Sequence, residues 1–181
     1  MLQITIDGGE FFDERTNQFI QVKPRQITLE HSLLSLSKWE AKWKKPFLTD
    51  DEKTSEEYLD YIRCMTVTQN VDPLLYNCLS EDNFKQIKEY IHDPHTATTI
   101  HSYEPPHGRK RTITSELIYY WMIASNVPTE YEKWHLNRLL TLLRICAIEN
   151  NPNKKKMTQR EILNQNRQLN AARRAKYNTR G

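Results

Sequence analysis

Glycine is scarce: the 181 residues contain four, Gly8, Gly9, Gly108 and Gly181. With so few, the chain has no G-x-G-x-x-G and no G-x-x-x-x-G-K-[ST], the backbone cradles for a dinucleotide or a triphosphate. It also lacks the G-x-S-x-G elbow of a hydrolase. Cysteine is sparse too. Cys64, Cys78 and Cys146 form no C-x-x-C, and an odd number of distant thiols implies reduced side chains and a cytosolic setting. Long apolar runs are missing. The longest candidate, Leu117 to Val127, spans eleven residues and includes Ser125 and Asn126, too short and too polar to cross a bilayer. Met1 to Ile6 is short, alternating and followed by Asp7, unlike a secretory signal.

What is present is enough apolar material for a core. Hydrophobic residues make up 38% of the chain, charged residues 27%, and mean hydropathy is −0.79. That balance fits a compact domain with a solvated extension. The net charge of +3 hides an asymmetry. Residues 151–181 hold nine Lys/Arg against one acid, Glu161, and so carry +8. The first 150 residues carry −5. A mildly acidic body with a basic arm is the expected organisation.

The periodicity predicts an α+β fold, mainly α. Leu2–Ile6 and Gln26–Glu30 alternate apolar and polar, and Phe19–Val22 is a short strand limited by Pro24. Asp7-Gly8-Gly9 offers a turn, and Asp13–Asn17 is polar and turn-like. A small N-terminal antiparallel sheet or hairpin of two or three strands follows, too small to stand alone. From Ser32 the spacing becomes helical, with Leu33, Leu36, Trp39 and Trp43 on one stripe that Pro46 ends. Thr49-Asp50-Asp51-Glu52 reads as the cap of a second helix reaching Met65. Ser80 opens a third, stopped by Pro94. Thr112 or Thr114 opens an apolar helix over Leu117–Ser125, and Pro128 starts another that runs to Glu149. The short link between these two predicts a helical hairpin burying Leu117, Trp121, Trp134, Leu139, Leu142 and Leu143. After the break at Asn150-Asn151-Pro152-Asn153, Thr158 and Glu161 form a capping box for a basic, solvent-facing last helix. The expected parts are an N-terminal β segment (1–31) packed on a helical body (32–150), and a C-terminal arm (151–181).

No residue pattern calls for catalysis, a metal or a cofactor. Asp50/Asp51 and Glu56/Glu57 are adjacent acids at a helix start, where capping and the helix dipole account for them. His92-Asp93-Pro94-His95 with His101 and His107 is a metal-like group, but it has no cysteine nearby and reads as a polar helix-ending loop. Arg109-Lys110-Arg111 after Gly108 reads either as a phosphate contact or as a solvated loop. The four tryptophans lie on apolar stripes, where core packing is the default. Trp39 and Trp43 are the candidates for a partner interface, in which Trp is enriched. In the arm, Arg167, Arg173, Arg174 and Lys176 are the candidate contacts for an acidic protein or for nucleic acid.

Several stretches are similar to proteins from the tail-gene modules of long-tailed bacteriophages. They are the opening Leu2–Asp13 segment, Leu29-Glu30-His31-Ser32-Leu33-Leu34-Ser35-Leu36-Ser37-Lys38-Trp39-Glu40, and Lys45-Pro46-Phe47-Leu48. Tyr61–Pro73, Ser115–Met122 and the end from Asn166, with Asn170-Ala171-Ala172-Arg173-Arg174, belong to the same set. The chain resembles the tail assembly chaperones encoded beside the tape-measure protein. The resemblance implies a mostly helical, non-enzymatic protein without cofactors, acting in the host cytoplasm and absent from the mature virion. Its implied partners are the tape-measure protein and the tail-tube protein, with self-association also open. The competing expectations are a neck or connector subunit that stays in the virion, and a nucleic-acid-binding phage protein that uses the basic arm.

Overall fold

A computed structural model describes residues 1–100, 112–150 and 159–177. The fold is α+β and mainly helical. It divides into two units, Met1–Cys146 and Ala147–Gly181.

The first unit opens with four strands: β1 (Leu2–Ile6), β2 (Gly9–Asp13), β3 (Gln18–Val22) and β4 (Arg25–Leu29). β1 pairs antiparallel with β4, from Leu2 opposite Leu29 to Ile6 opposite Arg25. β2 pairs with β3, from Gly9 opposite Val22 to Asp13 opposite Gln18. Both ladders keep one register, so they are two halves of a single long hairpin. The interruption falls where Asp7 and Gly8 face Lys23 and Pro24. Pro24 has no N–H to donate. At Gly8 the opposite chain comes so near that a Cβ would lie 2.2 Å from the Val22 carbonyl oxygen. Asp7-Gly8-Gly9 is therefore a pinch in the ribbon and not the expected turn. The reversal lies at 14–17, where the Asp13 carboxylate accepts from Arg15 N at 3.0 Å and Thr16 Oγ1 at 2.9 Å. Asn17 takes the left-handed conformation (φ 54°) that this turn needs.

The inner half of the ribbon is part of the core. Ile4 and Ile6 on β1, and Ile27 and Leu29 on β4, are buried at alternate positions. The β segment thus shares one core with the helices.

Helix α1 (Leu33–Trp43) starts where the Ser32 hydroxyl accepts from Ser35 N, and ends at Lys44 in the left-handed region. Helix α2 (Ser55–Met65) is capped by Thr54, whose hydroxyl accepts from Glu57 N while the Glu57 carboxylate accepts from Thr54 N. The expected cap at 49–52 is corrected: Thr54 prevails because Glu57 stands three residues on and completes the reciprocal pair. A 3₁₀ turn over Pro73–Cys78 leads to α3 (Glu81–His92), capped reciprocally by Ser80 and Asn83. Helix α4 (Ser115–Ala124) is capped by Thr114.

The predicted helix over 128–149 is broken. Thr129–Lys133 is a 3₁₀ turn, and α5 begins at Leu136 and ends at Glu149. Between them the backbone is extended at Trp134, and His135 forms a β-bridge with Ser32. Leu136 N donates to the His31 carbonyl at 2.7 Å. That pairing takes the segment out of helical geometry, a tertiary contact overriding a local preference. The helical hairpin is also corrected: α4 packs chiefly on α1. Of the six residues expected to be buried across it, Leu139 and Leu143 are in the core, whereas Leu117, Trp121, Trp134 and Leu142 are half-exposed.

In the second unit, α6 spans Gln159–Tyr177.

Candidate functional site

Helix α1 ends in a cluster of charged and aromatic side chains shared with α2. Trp39 is 1% exposed, and its indole N–H donates to the Glu57 carbonyl at 2.8 Å. Its ring stacks near Trp43 and meets Phe47 edge-on. Trp39 is thereby corrected from an interface candidate to a core residue, with both its apolar ring and its donor satisfied inside the unit. Trp43 is half-buried, and its Nε1–H donates to Asp60 Oδ2 at 2.8 Å. It leaves part of its ring at the surface but is anchored on α2.

The carboxylates beneath these rings are all engaged. Asp60 also accepts from Lys42 Nζ at 2.5 Å. Burial pushes its acidity down, but the hydrogen bonds from Lys42 and Trp43 outweigh this and hold its pKa below the ordinary value. Glu57 receives Lys45 Nζ at 2.6 Å, and that bond with the Thr54 backbone keeps it ionised. Glu40 is buried and bridges two segments. Its Oε1 accepts from Phe47 N at 2.9 Å and its Oε2 from Ser115 N at 2.7 Å. Two backbone donors, one after α1 and one at the first turn of α4, are thus satisfied by one side chain.

Histidines from three segments meet at the other side of the core. His31, which follows β4, His95, which follows α3, and His135, which precedes α5, stack edge to face. The His31 and His135 centroids lie 5.2 Å apart, and those of His95 and His135 lie 4.0 Å apart. Tyr61 OH and His31 Nδ1 share a hydrogen bond at 2.6 Å. His135 Nε2 lies 3.1 Å from the Tyr90 carbonyl, so it carries the proton and Nδ1 is the bare acceptor. Tyr90 OH donates to Glu30 Oε1 at 2.7 Å. Burial, reinforced by His135, His92 and His95, pulls the His31 pKa to about 3, and burial also lowers His135. Burial raises Tyr61 well above the usual phenol value. Burial thus keeps His31 and His135 uncharged near pH 7, and the cluster ties the segment at 30–32 to α3 and to the start of α5.

Of the expected metal-like group, His92 donates from Nδ1 to the Lys88 carbonyl at 2.7 Å, capping its own helix. His101 and His107 lie outside the described residues. Among the described residues no group of three His, Cys, Asp or Glu side chains is arranged to hold a metal. The meeting of His95 with His31 and His135 was not readable from spacing, since these residues are far apart in the chain.

The surface residues of greatest interest are apolar. On α4, Ser115, Ile118 and Met122 face the core. Tyr120 is 63% and Ile123 71% exposed, and Leu117 and Trp121 are half-exposed beside them. Leu117, Tyr120, Trp121 and Ala124 recur at the spacing of one helix face. This helix has apolar side chains on both faces, and the described residues cover only one. The outer half of the ribbon adds Phe12 and Phe19, a cross-strand pair with centroids 5.1 Å apart, both exposed. No signal in the sequence separated the covered face of α4 from the open one.

In the second unit, Arg167, Arg173 and Arg174 on α6 are exposed, as are Leu163 and Leu169. The Lys176 side chain and the whole of Arg109, Lys110 and Arg111 lie outside the described residues. Among the described residues no helix is long and apolar enough to cross a membrane. No family model, curated protein or solved structure matches the chain.

Proposed function

We propose that this protein is a tail assembly chaperone of a long-tailed bacteriophage, a non-catalytic binder of the tape-measure protein that recruits tail-tube subunits in the host cytoplasm. The resemblance of its sequence stretches motivates the reading, and one structural observation carries it. The outer face of α4 carries Tyr120 and Ile123 largely exposed beside the exposed Glu116, an apolar pair that no described residue covers. Such a face suits packing against an apolar helix of a partner, the way amphipathic helices are held. The arginines of α6 supply a second, cationic surface for another partner.

Co-expression with the tape-measure protein tests this. The intact chain should keep the tape-measure protein soluble and co-purify with it, and Tyr120→Glu with Ile123→Glu should abolish both effects without loss of fold. A double variant that still protects the tape-measure protein would remove the observation from the argument. Mass spectrometry of purified virions distinguishes a chaperone, which leaves the particle, from a neck or connector subunit, which stays.

The exposed Arg167, Arg173 and Arg174 favour a second reading, a nucleic-acid-binding protein. Such binding must weaken steeply with salt, through release of counterions from the phosphates. A mobility shift that persists at physiological salt and disappears when these three arginines are replaced would favour it over the first.

A further inference from the structure

We infer that the groove between α3 and the segment from Phe47 to Tyr58 is a docking site for an acidic amphipathic segment of a partner protein, distinct from the α4 face. The groove has a volume of about 650 Å³ and is open to solvent along one side. Its floor is apolar: Phe47, Leu48, Tyr58, Phe84 and Ile91. Three cations, Lys53, Lys85 and Lys88, stand among the lining, and no Asp or Glu among the described residues joins them.

Helix α3 builds this asymmetry through its own periodicity. Asn83, Ile87 and Tyr90 turn to the core. Phe84, Lys88 and Ile91 follow one another at four and three residues, so they share the adjacent face, and all three line the groove. The acids of the helix, Glu81, Asp82 and Glu89, line none of it. An apolar floor lined by lysines and by no described carboxylate is complementary to an apolar stripe flanked by carboxylates. That is the helix-in-groove mode, with electrostatics selecting the partner.

A protein segment fits this floor better than a nucleic acid does. Single-stranded nucleic acid needs free aromatic faces on which bases stack. The Phe47 ring is stacked on Tyr61 with centroids 3.8 Å apart, and Lys53 Nζ sits 4.8 Å from its centre. Tyr58 and Phe84 are turned 35° from one another, and Leu48 and Ile91 are aliphatic. These surfaces receive leucine- or isoleucine-like side chains.

The test uses the full chain and fluorescence polarisation with two labelled peptides of about five helical turns, roughly 18 residues each. Both carry the same leucine stripe; one is flanked by glutamates and the other by lysines. The glutamate peptide should bind and the lysine peptide should bind at least about tenfold more weakly. Lys85→Glu with Lys88→Glu, at two exposed positions, should cut the glutamate peptide's affinity by about tenfold and leave the melting temperature unchanged. Lys88→Gln should give a smaller loss in the same direction. No binding of the glutamate peptide, equal binding of both peptides, or indifference to the lysine variants would overturn the inference. So would a single-stranded oligonucleotide that binds through the same lysines while neither peptide binds.

Discussion

Acid should destabilise this fold well before its carboxylates titrate, and His31 should account for most of the effect. The side chain is 2% exposed, is hydrogen-bonded to the buried Tyr61, and faces the His135 ring. Its pKa falls from 6.5 to about 3, first because burial disfavours the charged ring and then because His135, His92 and His95 add positive potential. In the unfolded chain the ring returns to its ordinary value. Between these two values the unfolded state binds a proton that the folded state refuses, so stability is full above about pH 6.5 and falls as pH drops. The slope approaches about 1.4 kcal/mol per pH unit, which gives about 2 kcal/mol lost by pH 5 from this residue. His135, lowered in the same direction, adds to the loss. The carboxylates of Glu57 and Asp60 have depressed pKa values and contribute only at lower pH, as their protonation starts below their ordinary values. Set against a typical total of about 5–15 kcal/mol, 2 kcal/mol is easily read. Urea unfolding followed by tryptophan fluorescence, at constant ionic strength and several pH values from 7.5 to 5.0, measures it. His31→Gln should lower stability at pH 7.5 but flatten its pH dependence. A wild-type chain whose stability changes by less than about 0.5 kcal/mol over that range would refute the reasoning, as would an unchanged slope in the variant.

Three further outcomes follow from single contacts. Glu40→Ala should cost roughly 2–5 kcal/mol, because it leaves the buried N–H groups of Phe47 and Ser115 without an acceptor, and Glu40→Gln should cost less by retaining one oxygen; denaturant unfolding compares them. Gly8→Ala should destabilise the ribbon, since its methyl would overlap the Val22 carbonyl, and a shift of less than about 1 °C in the melting temperature would show that the two strands separate freely at the pinch. A chain ending at Asn150 should melt within a few degrees of the full chain, because among the described residues the core lies at or before Leu143; a much lower melting temperature would show that residues beyond 150 complete the fold.

The helices were legible where a side chain reports its own backbone. Ser32, Ser80 and Thr114 each cap the helix that follows, and the apolar stripe of Leu33, Leu36 and Trp39 faces the core as its spacing predicts. What escaped the sequence depended on remote partners. Asp7-Gly8-Gly9 has the composition of a turn, and only the opposite strand, with Pro24 and the close Val22 carbonyl, makes it a pinch in a straight ribbon. Nothing local to Trp134 and His135 forbids helix; the bridge to Ser32 does. The α4 sequence is apolar almost throughout, so its period could not say which side would be covered. For the candidate surfaces, Trp39 and Trp43 stand on one stripe, and their spacing does not distinguish them. Their different fates follow from Glu57 and Asp60 on α2, whose distance from α1 is not written in either segment.

The position of α1 connects these observations. It packs on α2 through the Trp39 and Trp43 anchors and on α4 through Glu40 and its apolar face, so it holds the centre of the first unit. Helices α2 and α4 each bury a face against it, while α3 packs on β1. If a peripheral helix is apolar on two faces, as α4 is, the second face stays open. If it is apolar and cationic on its second face, as α3 is beside the groove, that face stays open as well. Exposed apolar area of this kind invites aggregation unless something covers it. Here it is carried on helices, whose interior backbone groups bond within the helix, whereas the outer half of the ribbon, β2 with β3, holds a smaller apolar pair at Phe12 and Phe19. The fold thus places its open apolar area where a side-chain-specific partner can bind, and α4 and the α3 groove, differing in charge, would select different ones.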